Sequence, residues 1–305
     1  ASSDLTMPFV ATFGDKERFT GLSSPKADVN GRWAVTFTAK TGKTNFSVGE
    51  FVQKGARLTG TFLTPSGDYR FLEGNVSNDS MFLSGFDGGH AFLFSAKLVG
   101  DSLAGGRFYS GFLRAETWTA RRDSSAKLGD VYSDTKLKTR QARLDFTFPD
   151  LDNNPVSISD PKYKGKVVLI QIMGSWCPNC MDETSFLSDY YDKNRYRGFE
   201  VIALAYETST DFARSQKLLQ PFRDRFNVKY PILITGVTAT DSLLTEKTLP
   251  QLEKLGLFPT SIFVDRSGRV RKMFTGFSGP GTGKHFDEFK EEFETTIDEL
   301  LGEKG

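Results

Sequence analysis

Val167-Val168-Leu169-Ile170-Gln171-Ile172-Met173-Gly174-Ser175-Trp176-Cys177-Pro178-Asn179-Cys180 decides how this chain folds. The run from Val167 to Met173 is nearly all apolar and is bounded by Gly165 and Gly174, as a strand buried on both faces of a sheet would be. Pro178 suits the first turn of a helix, where its missing N–H has no partner to lose, and the pattern predicts helix over 178–195. Cys177 then sits at a helix N-terminus, where unpaired N–H groups and the positive end of the dipole favour thiolate. Cys180 lies one turn on, close enough to attack a mixed disulfide held on Cys177. These are the chain's two cysteines, so none remains for a structural disulfide scaffold. Two merely buried cysteines in a strand-to-helix turn are the alternative. The spacing and the preceding strand argue against it.

Downstream of this stretch, strands alternate with helical patterns, the signature of a βαβ architecture with a mostly parallel sheet. Strands are expected at 200–206, 230–235, 261–265 and 270–275, the last two joined by a tight turn at Arg266-Ser267-Gly268-Arg269. Helices are expected at 211–226, 242–255 and 286–301. In the last, Phe286, Phe289, Phe293, Ile297 and Leu300 recur at three- and four-residue intervals. Upstream, residues 146–160 read as an entry hairpin turning at Asp152-Asn153-Asn154-Pro155.

Further upstream the period changes. From about Phe9 to Arg122, short runs alternate with period two between turns at Lys54-Gly55, Ser66-Gly67-Asp68, Asn78-Asp79, Asp87-Gly88-Gly89 and Gly100-Asp101. Trp33, Val35 and Phe37 share one face, as do Phe92, Phe94, Ala96 and Leu98. Such a meander is expected to close into a barrel, which removes exposed edges, with roughly eight or nine strands. Gly31-Arg32-Trp33 resembles the opening of lipocalin-like barrels. Phe82, Phe86, Phe92, Phe94 and Phe108 either fill its core or line a pocket, and His90 reads as structural. Residues 123–142 lose the alternation and read as a linker without a core pattern. The chain therefore divides into an all-β domain over 1–122, a linker over 123–142 and an α/β domain over 143–305, with the two halves expected to be separable.

Composition excludes several function classes. Lysine plus arginine number 39 against 38 aspartate plus glutamate, so no basic field suggests nucleic acid. No apolar run is long enough for a transmembrane segment, and the start carries no signal-peptide pattern, so such a segment is expected to be absent or removed. A zinc site would need two further ligands beside the cysteines, and the only histidines, His90 and His285, lie far apart in sequence. The reading calls for no metal and no cofactor.

The stretch from Val167 to Cys180, with Phe148-Pro149-Asp150-Leu151, Lys164-Gly165-Lys166, Phe258-Pro259-Thr260 and Val264-Asp265, resembles thioredoxin-like proteins of the TlpA/ResA type, the extracytoplasmic thiol-disulfide oxidoreductases of bacteria. The resemblance covers about Phe146 to Leu301. It implies a thioredoxin-like α/β domain that reduces protein disulfides through Cys177 and Cys180, an upstream thiol-disulfide donor protein, and a bacterial periplasmic address. It implies that Pro259 is cis and that Trp176, Pro178, Phe258, Pro259 and Thr260 surround the bound substrate, with the backbone before the proline docking an extended chain. It also implies a proton-handling role for Glu183, since Gln171 stands where thioredoxin has a buried aspartate. An acid in a first helical turn is also favoured by the dipole alone. Two other functions compete. A thiol peroxidase of the peroxiredoxin type shares the fold, but it needs Thr or Ser and Pro where this chain has Gly174 and Ile170. The barrel could instead be a ligand- or partner-binding module with the redox half accessory to it.

Overall fold

A computed structural model describes residues 18–87, 89–111, 114–129, 135–139 and 143–303. The proposed start of the barrel near Phe9, Gly88, and the linker residues 130–134 and 140–142 lie outside these. The first half is a closed antiparallel barrel. Its strands are β1 (Gly31–Ala39), β2 (Thr44–Lys54), β3 (Arg57–Thr64), the two-residue β4 (Gly67–Asp68), β5 (Leu72–Ser77), β6 (Ser80–Phe86), β7 (Ala91–Val99), β8 (Ser102–Ser110) and β9 (Arg114–Arg122). Each long strand pairs with its sequence neighbours. β1 pairs with both β2 and β9, which closes the ring and leaves β4 as a short appendage on β3.

Alternation decides what faces inward. Trp33, Val35, Phe37, Phe62, Phe94, Phe108 and Trp118 are buried. Their rings pack at centroid separations such as 4.5 Å for Phe94 and Phe108 and 5.4 Å for Phe62 and Trp118. Each phenylalanine so buried contributes about 1.5–3 kcal/mol. Of the five aromatics singled out from the sequence, Phe94 and Phe108 are core and Phe92 is half-buried, whereas Phe86 is exposed. Phe82 pairs with Ser95 on the opposite face from buried Met81 and Leu83 and packs against Phe19. Period two places both Phe82 and Phe86 outside the barrel, so neither lines an interior pocket.

The described part of 123–142 is largely exposed, with a few residues that touch the two halves. Ala126 is buried against Val48 and Leu63 of the barrel. Lys136–Leu137 (β10) pairs with a strand of the second half.

That half begins with a hairpin of β11 (Thr147–Pro149) and β12 (Pro155–Ser157). There follow β13 (Val167–Met173), α1 (Pro178–Asn194), β14 (Phe199–Ala205), α2 (Phe212–Arg225), β15 (Ile232–Ile234), α3 (Leu244–Thr248), β16 (Leu252–Lys254), β17 (Thr260–Val264), β18 (Val270–Thr275) and α4 (Lys284–Gly302). The central sheet has the order β15-β14-β13-β17-β18, with every residue of β13 buried. The whole is a thioredoxin-like α/β domain preceded by an antiparallel barrel.

Two expectations are corrected. The sheet is mixed rather than mostly parallel: β13, β14 and β15 run parallel, but β17 is antiparallel to β13 and β18. The tight turn over 265–269 permits only an antiparallel hairpin, since a parallel pair needs a crossover. The helix expected over 242–255 ends at Thr248 and is followed by β16, which pairs with β10. The cause is Pro250. It has no N–H for a helical bond and drives the preceding Leu249 to an extended φ of −136°.

The barrel is docked on the redox half through named contacts. Asn179 Nδ2 donates to the Ser66 carbonyl at 3.2 Å, and the Asp68 N–H donates to Asn179 Oδ1 at 3.4 Å. The Gly279 N–H donates to Asp68 Oδ2 at 2.9 Å, and Arg70 pairs with Asp182. Gly67 makes this approach possible. At φ +138° it has no side chain, and a Cβ there would lie 2.4 Å from Asn179 Nδ2 and 2.7 Å from the Phe277 carbonyl oxygen.

Candidate active site

The end of β13 and the start of α1 build the site. The Cys177 N–H donates to the Gly174 carbonyl at 3.1 Å, which makes the turn, and Cys177 is the N-cap of α1. Its Sγ accepts the Cys180 N–H at 3.3 Å, as an N-cap acceptor does. Both cysteines are free thiols. Cys177 retains 5% exposure and borders a cavity, while Cys180 is fully buried beneath it. Burial is the main reason the Cys180 thiol is pushed well above its ordinary pKa. The hydrogen bond and charge of Cys177, and less strongly the charge of Glu183, act in the same direction. The pair is thus asymmetric, with one sulfur at the surface of a cavity and one kept protonated in the core.

Glu183 is 1% exposed and lies one helical turn beyond Cys180 on the buried face of α1. Its two oxygens accept hydrogen bonds from Gln171 Nε2 at 2.8 Å and Ser261 Oγ at 3.0 Å. Desolvation raises its pKa to about 7 despite those donors. The position follows from α1 itself: Cys180, Glu183, Thr184, Leu187 and Tyr191 recur at helical spacing and form its buried stripe. Gln171, which cannot take a proton, instead holds Glu183 and Thr184 in place.

Trp176 is 39% exposed at the mouth, its Nε1 donating to the Tyr206 carbonyl at 2.9 Å and its ring 5.7 Å from that of Phe258. Pro178 opens α1 and borders the cavity. The Phe258–Pro259 peptide is cis. Phe258 lines the cavity, but Pro259 and Thr260 are buried behind it, and Thr260 Oγ1 donates to the Leu257 carbonyl at 2.9 Å. The structure therefore brings Trp176, Cys177, Pro178 and Phe258 to one cavity and places Cys180, Glu183, Pro259 and Thr260 in the layer beneath.

Three contributions had not been read from the sequence. Glu207 is buried and accepts both the Ser175 N–H and the Ser175 hydroxyl at 2.8 Å, fixing the turn that carries Trp176 and Cys177. Burial raises its pKa. Asn179, inside the cysteine motif, is held by the barrel. Asp68 and Arg70 reach the site from β4 and the loop after it, and burial lifts the Asp68 carboxyl to about 6. No local pattern marks any of them, since each acts through a partner at least 32 residues away. Asp87 and His90, which form an ion pair at 3.0 Å, border the same cavity. Among the described residues no cluster of His, Cys, Asp and Glu suits a metal.

A family model described as Redoxin matches residues 138–290, just over half of the chain. The chain belongs to the Redoxin family. Curated relatives include a thiol-disulfide oxidoreductase ResA of Geobacillus thermodenitrificans (strain NG80-2), 26% identical over 132 residues. That match covers 43% of this chain and 66% of the relative, so the chain spans slightly less than two thirds of that relative's length. A protein of the same description from Bacillus anthracis is 26% identical over 141 residues, 46% of this chain and 72% of the relative. Solved structures include a putative thiol:disulfide interchange protein DsbE from Chlorobium tepidum, 21% identical with a TM-score of 0.41, covering 54% of this chain and 99% of that one. A putative protein disulfide isomerase from Bacteroides thetaiotaomicron is also 21% identical, with a TM-score of 0.40, covering 56% and 94%.

Proposed function

We propose that this Redoxin-family chain is a thiol-disulfide oxidoreductase of the TlpA/ResA type that reduces protein disulfides. The observation that carries the reading is the asymmetric pair: Cys177 at the cavity and the α1 N-terminus, Cys180 buried over the titratable Glu183. Cys177 thiolate attacks one sulfur of the substrate disulfide. That bond breaks, a mixed disulfide forms on Cys177, and the other substrate sulfur leaves as thiolate and is protonated by water. Cys180 then passes its proton toward the Glu183 carboxylate and attacks Cys177 Sγ, releasing the second substrate thiolate and leaving a Cys177–Cys180 disulfide. Two electrons have moved to the substrate, and a dithiol, in the cell an upstream thiol-disulfide donor protein, restores the pair.

Phe258 enters none of the backbone hydrogen bonds among the described residues, which leaves its N–H and C=O available to an extended substrate. Trp176 and Pro178 flank that approach, while Pro259 and Thr260 shape the backbone behind it. From the resemblance to the TlpA/ResA type we read an extracytoplasmic, bacterial periplasmic address. No helix of the described residues is long and apolar enough to cross a membrane. We take residues 1–122 as the barrel domain, 123–142 as the connection and 143–305 as the redox domain.

The test is disulfide reduction by the full chain with a dithiol as electron source. Cys177→Ser is expected to abolish it, and Cys180→Ser to accumulate mixed disulfides on Cys177. Equal trapping by both variants, or a wild type inactive on disulfides but fast with hydrogen peroxide, overturns the proposal.

A further inference from the structure

The cavity beside Cys177 has a wall that the redox domain does not make. It encloses about 650 Å³, within the span of about 300–1,000 Å³ that holds a sizeable ligand. The barrel supplies its aromatic surface: Phe37 lies deep, Tyr69 and Phe92 are half-buried with their rings 5.2 Å apart, and Phe46 stands 43% exposed at the rim. Trp176, Cys177 and Phe258 close the opposite side.

Charge does not select the occupant, because every charged side chain on this lining already has a partner. Asp68 accepts the backbone N–H groups of Gly279 and Arg70, Arg70 pairs with Asp182, His90 with Asp87, and Arg114 with Glu116. What remains on offer is a largely aromatic surface beside a thiol, edged by uncharged side chains such as Thr44, Asn45, Ser47 and Ser110. The wall is also held in register with that thiol. Asn179, two residues from Cys177, bonds to both Ser66 and Asp68 of the barrel.

We propose that the mouth of the barrel is the substrate-side half of the redox site, and that it takes a large apolar side chain, aromatic or leucine-like, next to the disulfide-bonded cysteine of a polypeptide. The proposal rests on the oxidoreductase reading and names its substrate class. A polypeptide is the occupant because the Phe258 backbone at the cavity edge offers a main-chain partner, while the barrel offers a place for the adjacent side chain. The electron count is that of the proposed reaction: the Cys177–Cys180 pair is oxidised, the bound disulfide is reduced to two thiols, and a dithiol regenerates the pair.

The experiment uses the full chain, reduced with a dithiol, and three substrates. Two are disulfide-linked peptides that differ only in carrying Phe or Ser before the cysteine, and the third is bis(2-hydroxyethyl) disulfide. The expected kcat/KM for the Phe peptide is about tenfold or more above that for the Ser peptide, the scale set by burying one aromatic side chain. Phe46→Ser, at an exposed rim position, and Phe92→Ala are each expected to cut that ratio by at least about threefold. Equal rates for the two peptides, with the small disulfide still reduced, overturn the pocket and leave the oxidoreductase reading standing. An unchanged ratio in both variants moves the preference off the barrel and also overturns it. Reduction of bis(2-hydroxyethyl) disulfide as fast as the Phe peptide overturns the polypeptide assignment. Failure to reduce any of the three removes the oxidoreductase reading and the pocket with it.

Discussion

Replacing Glu183 by Gln separates a proton carrier from a helix-terminal charge. In the wild type the folded carboxyl, with a pKa of about 7, holds its proton more tightly than the unfolded one at about 4.3. The folded state is therefore favoured most at acid pH, and stability falls as pH rises from about 4.3 through about 7, above which it levels. At about 1.4 kcal/mol per pKa unit the full change is about 3–4 kcal/mol, undiminished by solvent because the group is completely buried. Glu183→Gln removes that slope. The amide oxygen can face Gln171 and the amide N–H group can face Ser261, whose hydroxyl can turn to accept, so the variant loses about 1 kcal/mol at pH 5. By pH 8.5 it should be more stable than the wild type by about 2 kcal/mol. Urea unfolding of both reduced proteins at the two pH values measures this. Removing the Glu183 charge should also lower the pKa of Cys180 and shift the pH profile of thiol alkylation downward, while turnover slows for want of a proton acceptor. Parallel stability curves together with superimposable alkylation profiles would refute the role of Glu183.

Arg70→Ala leaves the Asp68 and Asp182 carboxylates facing each other at the barrel contact without their cation. Burial already raises both, so the loss, about 1–3 kcal/mol at pH 8, should shrink at pH 5, where Asp68 is protonated; a cost independent of pH in urea melts would contradict this. Gly67→Ala puts a methyl group against Asn179 and the Phe277 carbonyl at a φ that L-residues avoid. It should destabilise by more than about 1 kcal/mol and expose the 65–70 loop to limited proteolysis, whereas wild-type resistance would show that the loop does not depend on this close approach.

How much of this was legible varies with the range of the interaction. β13 and α1 appear in the sequence at their observed places, because a continuous apolar run and a proline at a helix start are local signals. The helix expected over 242–255 was too long, because Pro250 inside that span has no N–H for a helical bond and the helix ends at Thr248. Glu183 was half legible: its spacing from Cys180 and Leu187 puts it on the buried stripe, but its partners Gln171 and Ser261 lie on two other strands. The barrel wall was legible only at Phe92, one of the aromatics read as core or pocket lining, and its docking on the cysteine motif was not legible. Ser66 and Asp68 meet Asn179 across more than 110 residues, and neither end carries a motif that names the other.

The barrel strands span residues 31–122 and complete their own hydrogen-bonded ring, whereas the cysteines come more than fifty residues later. During synthesis from the N-terminus the barrel can therefore close before Cys177 has been made. The thiols then emerge beside a wall that already exists, and their first partner in space is a folded surface rather than another nascent chain. Dilution from denaturant starts both halves at once and abolishes that order. Stray disulfides between chains should accordingly be more abundant after refolding of the full-length protein than after its translation.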